Sequence, residues 1–417
     1  MALSFEEKLR NYAKLGLVYG LGIDHKARPL YIEQYEHEDH GGLVATMAAE
    51  AYALGVPTVD TVYRNPAFER AQFLGAPDSH KLYLPRWVSV RAQEIVDSDG
   101  ARIAFSGNGD LGIMDDVPSQ YPSGFKSAYM QANQPLTGRR MNMLQPWSLF
   151  NVPTNAWANK LGMSIEELWE FLFMVTGADR PDCIEYAQGI SRMLRKRAML
   201  LNDLAIHTLL FVGEGTHLKV GLSPRARWLG GQRQTPDGTW FGANWPQWEN
   251  YTTPDWRLTE GTVRVTMPSS LSGPIVDGLS ITFQKGRIVS FTATQGAEAF
   301  QALINTDLGA VRAGEIAIVD LRNNSLSKFR KPHFSILLDE NKLPHLAIGG
   351  AYPAALEGGA TASPQELADL GCNTSKVHHD LMIGDETISV YALDAADKIV
   401  TQLVKDGNCV GDLAMNA

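Results

Sequence analysis

The sequence predicts an α/β protein in two parts: an N-terminal parallel α/β domain over residues 1–204, then a β-rich α+β domain over residues 205–417. Three observations carry that reading. At 417 residues the chain exceeds what a single hydrophobic core usually serves. Through the first half, short apolar runs alternate with helical patterns, as the strands and crossover helices of a parallel sheet do. From Ala205 the texture changes to brief β-rich runs broken by Gly, Pro and Asn.

Taken in order, Phe5, Leu9, Tyr12, Leu15, Leu17 and Val18 recur at helical spacing after Ser4. Glu7 stands three residues beyond that serine, which predicts a capped helix within residues 4–20. Strands are expected at Pro29–Gln34, Val59–Tyr63, Ala101–Ser106 and Trp147–Val152, and helices at Gly42–Leu54, Asn65–Leu74, Ser164–Thr176 and Cys183–Leu204. In the second half, runs such as H-T-L-L-F-V, H-L-K-V-G-L and G-T-V-R-V-T-M read as strands. Gln284-Lys285-Gly286-Arg287 reads as a hairpin tip, and Ala297–Asp307 as an isolated helix.

Composition narrows the function. A formal net charge of −9 with no long basic run argues against a nucleic-acid partner. The densest basic cluster, Arg192–Arg197, sits in a helical pattern and reads as a solvated helix face. Cys183, Cys372 and Cys409 are too few and too far apart for a disulfide framework or a thiolate zinc site. The first residues lack a signal-peptide core, and no apolar run approaches the ~20 residues that span a bilayer. A cytoplasmic protein with no membrane partner is expected.

Two tempting motifs fail on context. Gly107-Asn108-Gly109-Asp110-Leu111-Gly112 matches G-x-G-x-x-G after a strand, but a proline-containing, non-helical stretch follows, so it reads as a connecting loop. His37-Glu38-Asp39-His40 lies between a strand and a helix, and reads as solvated loop.

The stretch Leu337–Gly384 holds more promise. It groups His345, His378, His379 and Asp380 with Asp339, Glu340 and Tyr352. On a strand, His378 and Asp380 share one face and His379 points away. Either a metal site or a satisfied His–Asp pair accounts for this. Upstream, Glu249 lies amid Trp228, Trp240, Trp245, Trp248 and Trp256, and a buried carboxylate there needs a partner: a metal ion, or Arg257 or Arg264. Glu315 precedes the strand-like I-A-I-V, where a polar residue at a strand's edge is the plain reading. Together Glu249, Glu315, His345, His378 and Asp380 offer five N/O donors, enough for two divalent ions ~3.5–4 Å apart. Carboxylate with imidazole suits Zn, Co or Mn.

Six segments in order over about residues 213–384 carry a family resemblance. They are G-E-G-T-H-L-K-V-G-L, N-W-P-Q-W-E-N-Y-T-T-P-D, G-T-V-R-V-T, D-L-G-A-V-R-A-G-E-I-A-I-V, L-L-D-E-N-K-L-P-H-L-A-I-G-G-A-Y-P and S-K-V-H-H-D-L-M-I-G. The chain resembles the thermophilic-type metallo-aminopeptidases typified by aminopeptidase T, aminopeptidase S and PepS. That resemblance implies a dimeric, two-metal exopeptidase that removes N-terminal amino acids with metal-activated water. It places the metal ligands on Glu249, Glu315, His345, His378 and Asp380, and an active-site tyrosine on Tyr352. Tyr352 is then the donor to the developing oxyanion, and Glu249 or Glu315 passes a proton to the leaving amine.

Departures from the family pattern bear on substrate. Where the family has two adjacent glutamates, this chain has Trp248-Glu249, preceded by Gln247 instead of Thr. His217 and Leu308 replace two further acids. A more aromatic site favours large apolar end residues or a non-peptide amide. Two other classes compete. A few relatives hold one Fe(II) by two histidines and a carboxylate and cleave hydroxylated pyridine rings with oxygen, but such a site needs neither Glu249 nor Glu315. A non-catalytic scaffold is the third.

Overall fold

Strand–helix alternation in the first half builds a parallel sheet. The computed structural model describes residues 2–35, 41–107, 112–118, 120–271, 274–322, 324–329 and 331–415. The His37–His40 cluster and most of the 107–112 glycine motif lie outside the described residues. Two compact units result, Met1–Gln188 with Gln232–Pro246, and Gly189–Gly231 with Gln247–Ala417.

In the first unit, β1 (Leu30–Tyr35) pairs in parallel with β2 (Val59–Arg64) and β3 (Ala101–Ser106), and β3 pairs in parallel with β4 (Trp147–Asn151). The short strand Asn244–Trp245 returns to pair with β4, which is why residues 232–246 belong to this unit. Helix α1 (Phe5–Lys14) carries the expected capping box between Ser4 and Glu7, then relaxes into a π-helical stretch, Leu15–Gly20. Helices α2 (Gly41–Ala53), α3 (Pro66–Gly75), α8 (Ile165–Thr176) and α9 (Cys183–Asp203) stand where their patterns put them. Four further helices, α4 (Trp87–Asp97), α5 (Gln120–Ala132), α6 (Gln134–Met141) and α7 (Asn155–Leu161), have no counterpart in the sequence reading. Neither α4 nor α6 has a side-chain N-cap, so the usual start signal is missing.

The division between units falls inside α9, whose C-terminal part goes with the β-rich unit. There the basic cluster departs from the solvated face expected of it. Arg197 is buried, its Nη2 3.1 Å from Asp320 Oδ2 and its Nε donating to the Leu413 carbonyl at 3.0 Å. Arg192 and Lys196 are the solvated members.

Besides the short antiparallel pair Ser269–Ser270 with Ile275–Val276, the second unit holds two larger antiparallel sheets. Their strands are β5 (Thr208–Gly213), β6 (Thr216–Leu222), β7 (Glu249–Thr252), β8 (Pro254–Arg264), β9 (Ser280–Gln284), β10 (Arg287–Thr292), β11 (Ala313–Val319), β12 (His345–Gly349), β13 (His378–Met382), β14 (Ser389–Leu393), β15 (Ile399–Lys405) and β16 (Asn408–Cys409). The larger sheet runs β10-β9-β8-β6-β5-β14-β15-β16, and the smaller runs β7-β11-β12-β13. The β9–β10 hairpin turns through Lys285 and Gly286, both at positive φ, as a tight two-residue tip requires. Helix α10 (Ala297–Ile304) is the helix read between these strands.

Period-two alternation sorts the four-stranded sheet into two faces. Ile316, Ile318, Leu346, Ile348 and Leu381 point one way and join the unit's main hydrophobic core. The residues between them point the other way, and among those are five acids and imidazoles: Glu249, Glu315, His345, His378 and Asp380.

Candidate metal centre

Strand register gathers the candidate ligands on that polar face. Glu249 pairs with Val319, Ala317 with His345, Ala347 with both Glu315 and Asp380, and Gly349 with His378. Paired residues share a face. Glu249, Glu315, His345, His378 and Asp380 therefore project together, separated by the small residues Ala317, Ala347 and Gly349, which leave space above the sheet. Glu315 is not at a strand edge: β11 is an inner strand and buried along its whole length.

Two groups of three donors result, Glu249–Glu315–His345 and Glu315–His378–Asp380, each with its ligand atoms within 4.8 Å of one another. Glu315 is common to both. Its Oε1 lies 4.0 Å from His345 Nε2 and its Oε2 lies 3.4 Å from His378 Nε2. Glu249 Oε2 sits 3.2 Å from His345 Nε2, and Asp380 Oδ1 sits 3.5 Å from His378 Nε2. Glu249, Glu315, His345 and Asp380 are buried, whereas the His378 side chain is 29% exposed and opens the cluster to solvent.

Both imidazoles are oriented through their other nitrogen. His378 Nδ1 lies 2.7 Å from the Gly350 carbonyl and His345 Nδ1 lies 3.2 Å from the Leu343 carbonyl. A carbonyl only accepts, so each Nδ1 carries the proton and each Nε2 is left to face the acids. Gly349 makes the His378 contact possible. It sits at φ +100°, and a Cβ there would come within 2.1 Å of the Val377 carbonyl oxygen. Tyr352 follows directly, its hydroxyl 3.3 Å from His378 Nε2 and its backbone pinned by Thr253. His379 points to the opposite side, as strand alternation requires, and meets Ser269 Oγ at 2.7 Å.

The electrostatics of the bare cluster are those of too many acids in too little water. Burial pushes the Glu315 carboxyl up, and Asp380 and Glu249 add to this against the pull of His378, leaving it at about 7. Burial alone would lower His345 and His378. Glu249 outweighs it for the first and Asp380 with Glu315 for the second, raising them to about 10 and about 11. Burial likewise pushes against the Asp380 charge, but His378 holds its carboxyl down at about 2. A fourth acid belongs here that sequence reasoning placed nearby without assigning it to the site. Burial raises Glu340 well above the usual carboxylate range, and Glu249 and Asp380 push it further. Its position in the Asp339-Glu340 pair, five residues before His345, was the available signal, but nothing in the spacing says which of the two acids turns inward.

The donor set fits divalent cations. Glu249 Oε2 is buried and has no hydrogen-bond partner. Neither arginine offered by the sequence serves it, since Arg257 is held by Asp255 at 2.8 Å and Arg264 by Asp385 at 2.8 Å. Four acids against two imidazoles is an arrangement that added positive charge would satisfy.

The family model for thermophilic metalloproteases (M29) matches residues 5–409. The chain belongs to that family. Among relatives, aminopeptidase T of Thermus aquaticus is 31% identical over 94% of this M29 chain and 95% of its own length. Aminopeptidase 2 of Geobacillus stearothermophilus is 31% identical over 98% and 99%. The solved structure of wild-type AmpT from Thermus thermophilus superposes with a TM-score of 0.89 at 29% identity, covering 98% of this chain and all of that one. The mixed α/β fold read from the sequence is that of the family.

The departures of this M29 chain separate in space. Leu308 is 77% exposed and His217 is exposed as well. Trp248, beside Glu249, is buried. Its backbone N–H donates to Asn341 Oδ1 at 2.6 Å, while its indole N–H and Gln247 Oε1 have no hydrogen-bond partner. The tryptophan-rich stretch is not one cluster: Trp240 and Trp245 belong to the first unit, and Trp228, Trp248 and Trp256 to the second. Among the described residues no helix is long and apolar enough to cross a membrane.

Proposed function

We propose that this chain is a metal-dependent aminopeptidase in which Glu249, Glu315, His345, His378 and Asp380 hold two divalent ions, with Glu315 shared between them. The single observation that supports the dinuclear reading is the division of the Glu315 oxygens between the two imidazoles. When bound, two ions of zinc, cobalt or manganese supply an acidified water and a polarised carbonyl. The protein's own groups do the rest. Tyr352, at the open side beside His378, donates its hydroxyl to the developing oxyanion. Burial, with Glu315 and Asp380 close by, raises this phenol well above its ordinary value, so it remains a donor at neutral pH. Glu340 lies outside both donor groups, its Oε1 accepting from Asn341 Nδ2 at 3.3 Å, so its carboxyl is not taken up by metal. That suits it better than Glu249 or Glu315 for carrying a proton to the leaving amine.

The substrate in this reading is a peptide, or a small amide with a free α-amine, taken by a cytoplasmic homodimer. Three buried, unpaired cysteines fit a reducing compartment. Metal quantification on chain purified without chelator, together with a panel of aminoacyl anilides and dipeptides, tests the proposal. Two non-redox ions per chain with N-terminal cleavage is the expected result. One iron per chain, with oxygen uptake on hydroxypyridines and no cleavage, replaces it with a ring-cleaving dioxygenase.

A further inference from the structure

Asn341 sits between two members of the acid cluster. It is fully buried, one residue beyond Glu340 and just past the short helix α11 (Ile336–Asp339). Its Oδ1 accepts the Trp248 backbone N–H at 2.6 Å, directly before Glu249 opens β7. Its Nδ2 donates to the Leu337 carbonyl at 2.9 Å, one of the carbonyls that a helix end leaves open, and to Glu340 Oε1 at 3.3 Å. The backbone fixes the orientation of this amide. An N–H only donates and a carbonyl only accepts, so oxygen must face Trp248 and nitrogen must face Leu337. The second hydrogen on Nδ2 is then the one that reaches Glu340. Asn341 is held in turn. Asn324, also fully buried, donates its Nδ2 to the Asn341 carbonyl at 2.6 Å and accepts the Leu326 N–H at 2.9 Å.

We propose that Asn341 is a positioning residue for proton delivery: by donating to Glu340 Oε1 it leaves Oε2 as the oxygen that carries the proton, and through Trp248 it ties that carboxyl to the strand bearing Glu249. The inference rests on the aminopeptidase reading, with Glu340 as its proton carrier. An unheld glutamate samples several rotamers, and proton transfer needs the carboxyl within hydrogen-bond reach of its partner. A carboxyl that accepts at one oxygen holds its proton on the other. Oε2 takes the proton given up by the attacking water. It returns that proton to the leaving nitrogen as the carbon–nitrogen bond breaks with its electron pair, so Glu340 ends the cycle as it began.

Asn341→Asp keeps the shape and the oxygen that faces Trp248, and removes the donor to Glu340. The test compares the metal-loaded full chain with this variant on leucine amide, whose leaving nitrogen needs a proton, and on leucine 4-nitrophenyl ester, whose leaving phenolate does not. Bound metal is counted by elemental analysis. In Asn341→Asp, kcat on the amide falls by about 10²-fold, the loss on the ester is at least tenfold smaller, and metal content matches wild type. Glu340→Asp, at a partly exposed position, draws the carboxyl back from Asn341 and shows the same split. It decides the matter if Asn341→Asp does not fold. The double variant loses no more than the worse single one, because the two residues act as one unit. Equal losses on both substrates, metal lost along with activity, or an amide kcat within threefold of wild type in Glu340→Asp overturns the role of Asn341 and leaves the aminopeptidase standing. A wild type that cleaves neither substrate overturns both.

Discussion

Glu315 faces His378 with Oε2 and Nε2 3.4 Å apart, and its other oxygen turns to His345. In the metal-free chain this geometry is a liability. A folded-state value near 7, above the ordinary 4.5, means that ionising Glu315 costs stability. The cost is absent below pH 4.5, grows as pH rises toward 7, and is complete above it. Glu315→Gln removes the charge and keeps the shape. At pH 8, in chelator, the variant is expected to be more stable than wild type by on the order of 1–3 kcal/mol, read as a higher melting temperature. With metal supplied it should hold at most one ion and lose at least ~10³ in kcat. A chelated variant that melts lower than wild type removes the crowded-acid picture.

Proton release on metal binding follows from the two imidazoles. His345 and His378, raised to about 10 and about 11, are protonated at pH 7 in the metal-free chain. Ligation needs neutral imidazole, so loading must expel those protons and affinity must climb with pH. Calorimetric titration with zinc at pH 7, in two buffers of different ionisation enthalpy, should report release of at least two protons per chain, one from each imidazole and a further share from Glu315, which at about 7 is still partly protonated. The same shifts fix the stability profile without metal. The His–carboxylate contribution is fully present below pH ~6.5 and fades as pH rises through 10 to 11. Release of less than half a proton per chain contradicts the assignment of these histidines as ligands.

Much of this site was legible in the sequence because strands alternate. The H-H-D step states which histidine turns inward, and His379 does meet Ser269 on the far side. Strand-helix alternation likewise gave the parallel sheet, and Ser4 and Ser164 marked their helices through capping boxes. What lay hidden depends on contacts distant in sequence. Glu340 becomes part of the cluster through Glu249 and Asp380, far away along the chain. Arg197 is buried because Asp320 and the Leu413 carbonyl await it. Helices α4 and α6 start without a side-chain cap, so no local residue announces them. The sheet's use of Ala317, Ala347 and Gly349 as spacers appears only once register is known.

Ala347 tests that spacing. It pairs with Glu315 on one side and Asp380 on the other, fully buried between them. Ala347→Leu adds three carbons on the ligand face, where the donors need to converge. Overpacking should cost about 1–3 kcal/mol of stability, and bound metal should fall from two ions to one or none in elemental analysis. Ala347→Ser, nearly isosteric, should retain both. Full metal content in folded Ala347→Leu would mean that the ions do not sit above this residue.

Tyr352 stands apart from the ligands, since it contributes a hydroxyl 3.3 Å from His378 Nε2 and its backbone is fixed by Thr253. Tyr352→Phe keeps the ring beside His378, whose centroid is 4.9 Å away, and deletes only the donor. Metal content and melting temperature should match wild type. For a leucine anilide, kcat should fall by about 10²–10³ with KM nearly unchanged, the signature of a hydrogen bond made in the transition state. A loss of less than threefold in kcat, or a loss that tracks metal content instead, would assign the tyrosine to holding His378 and leave the oxyanion without a side-chain donor.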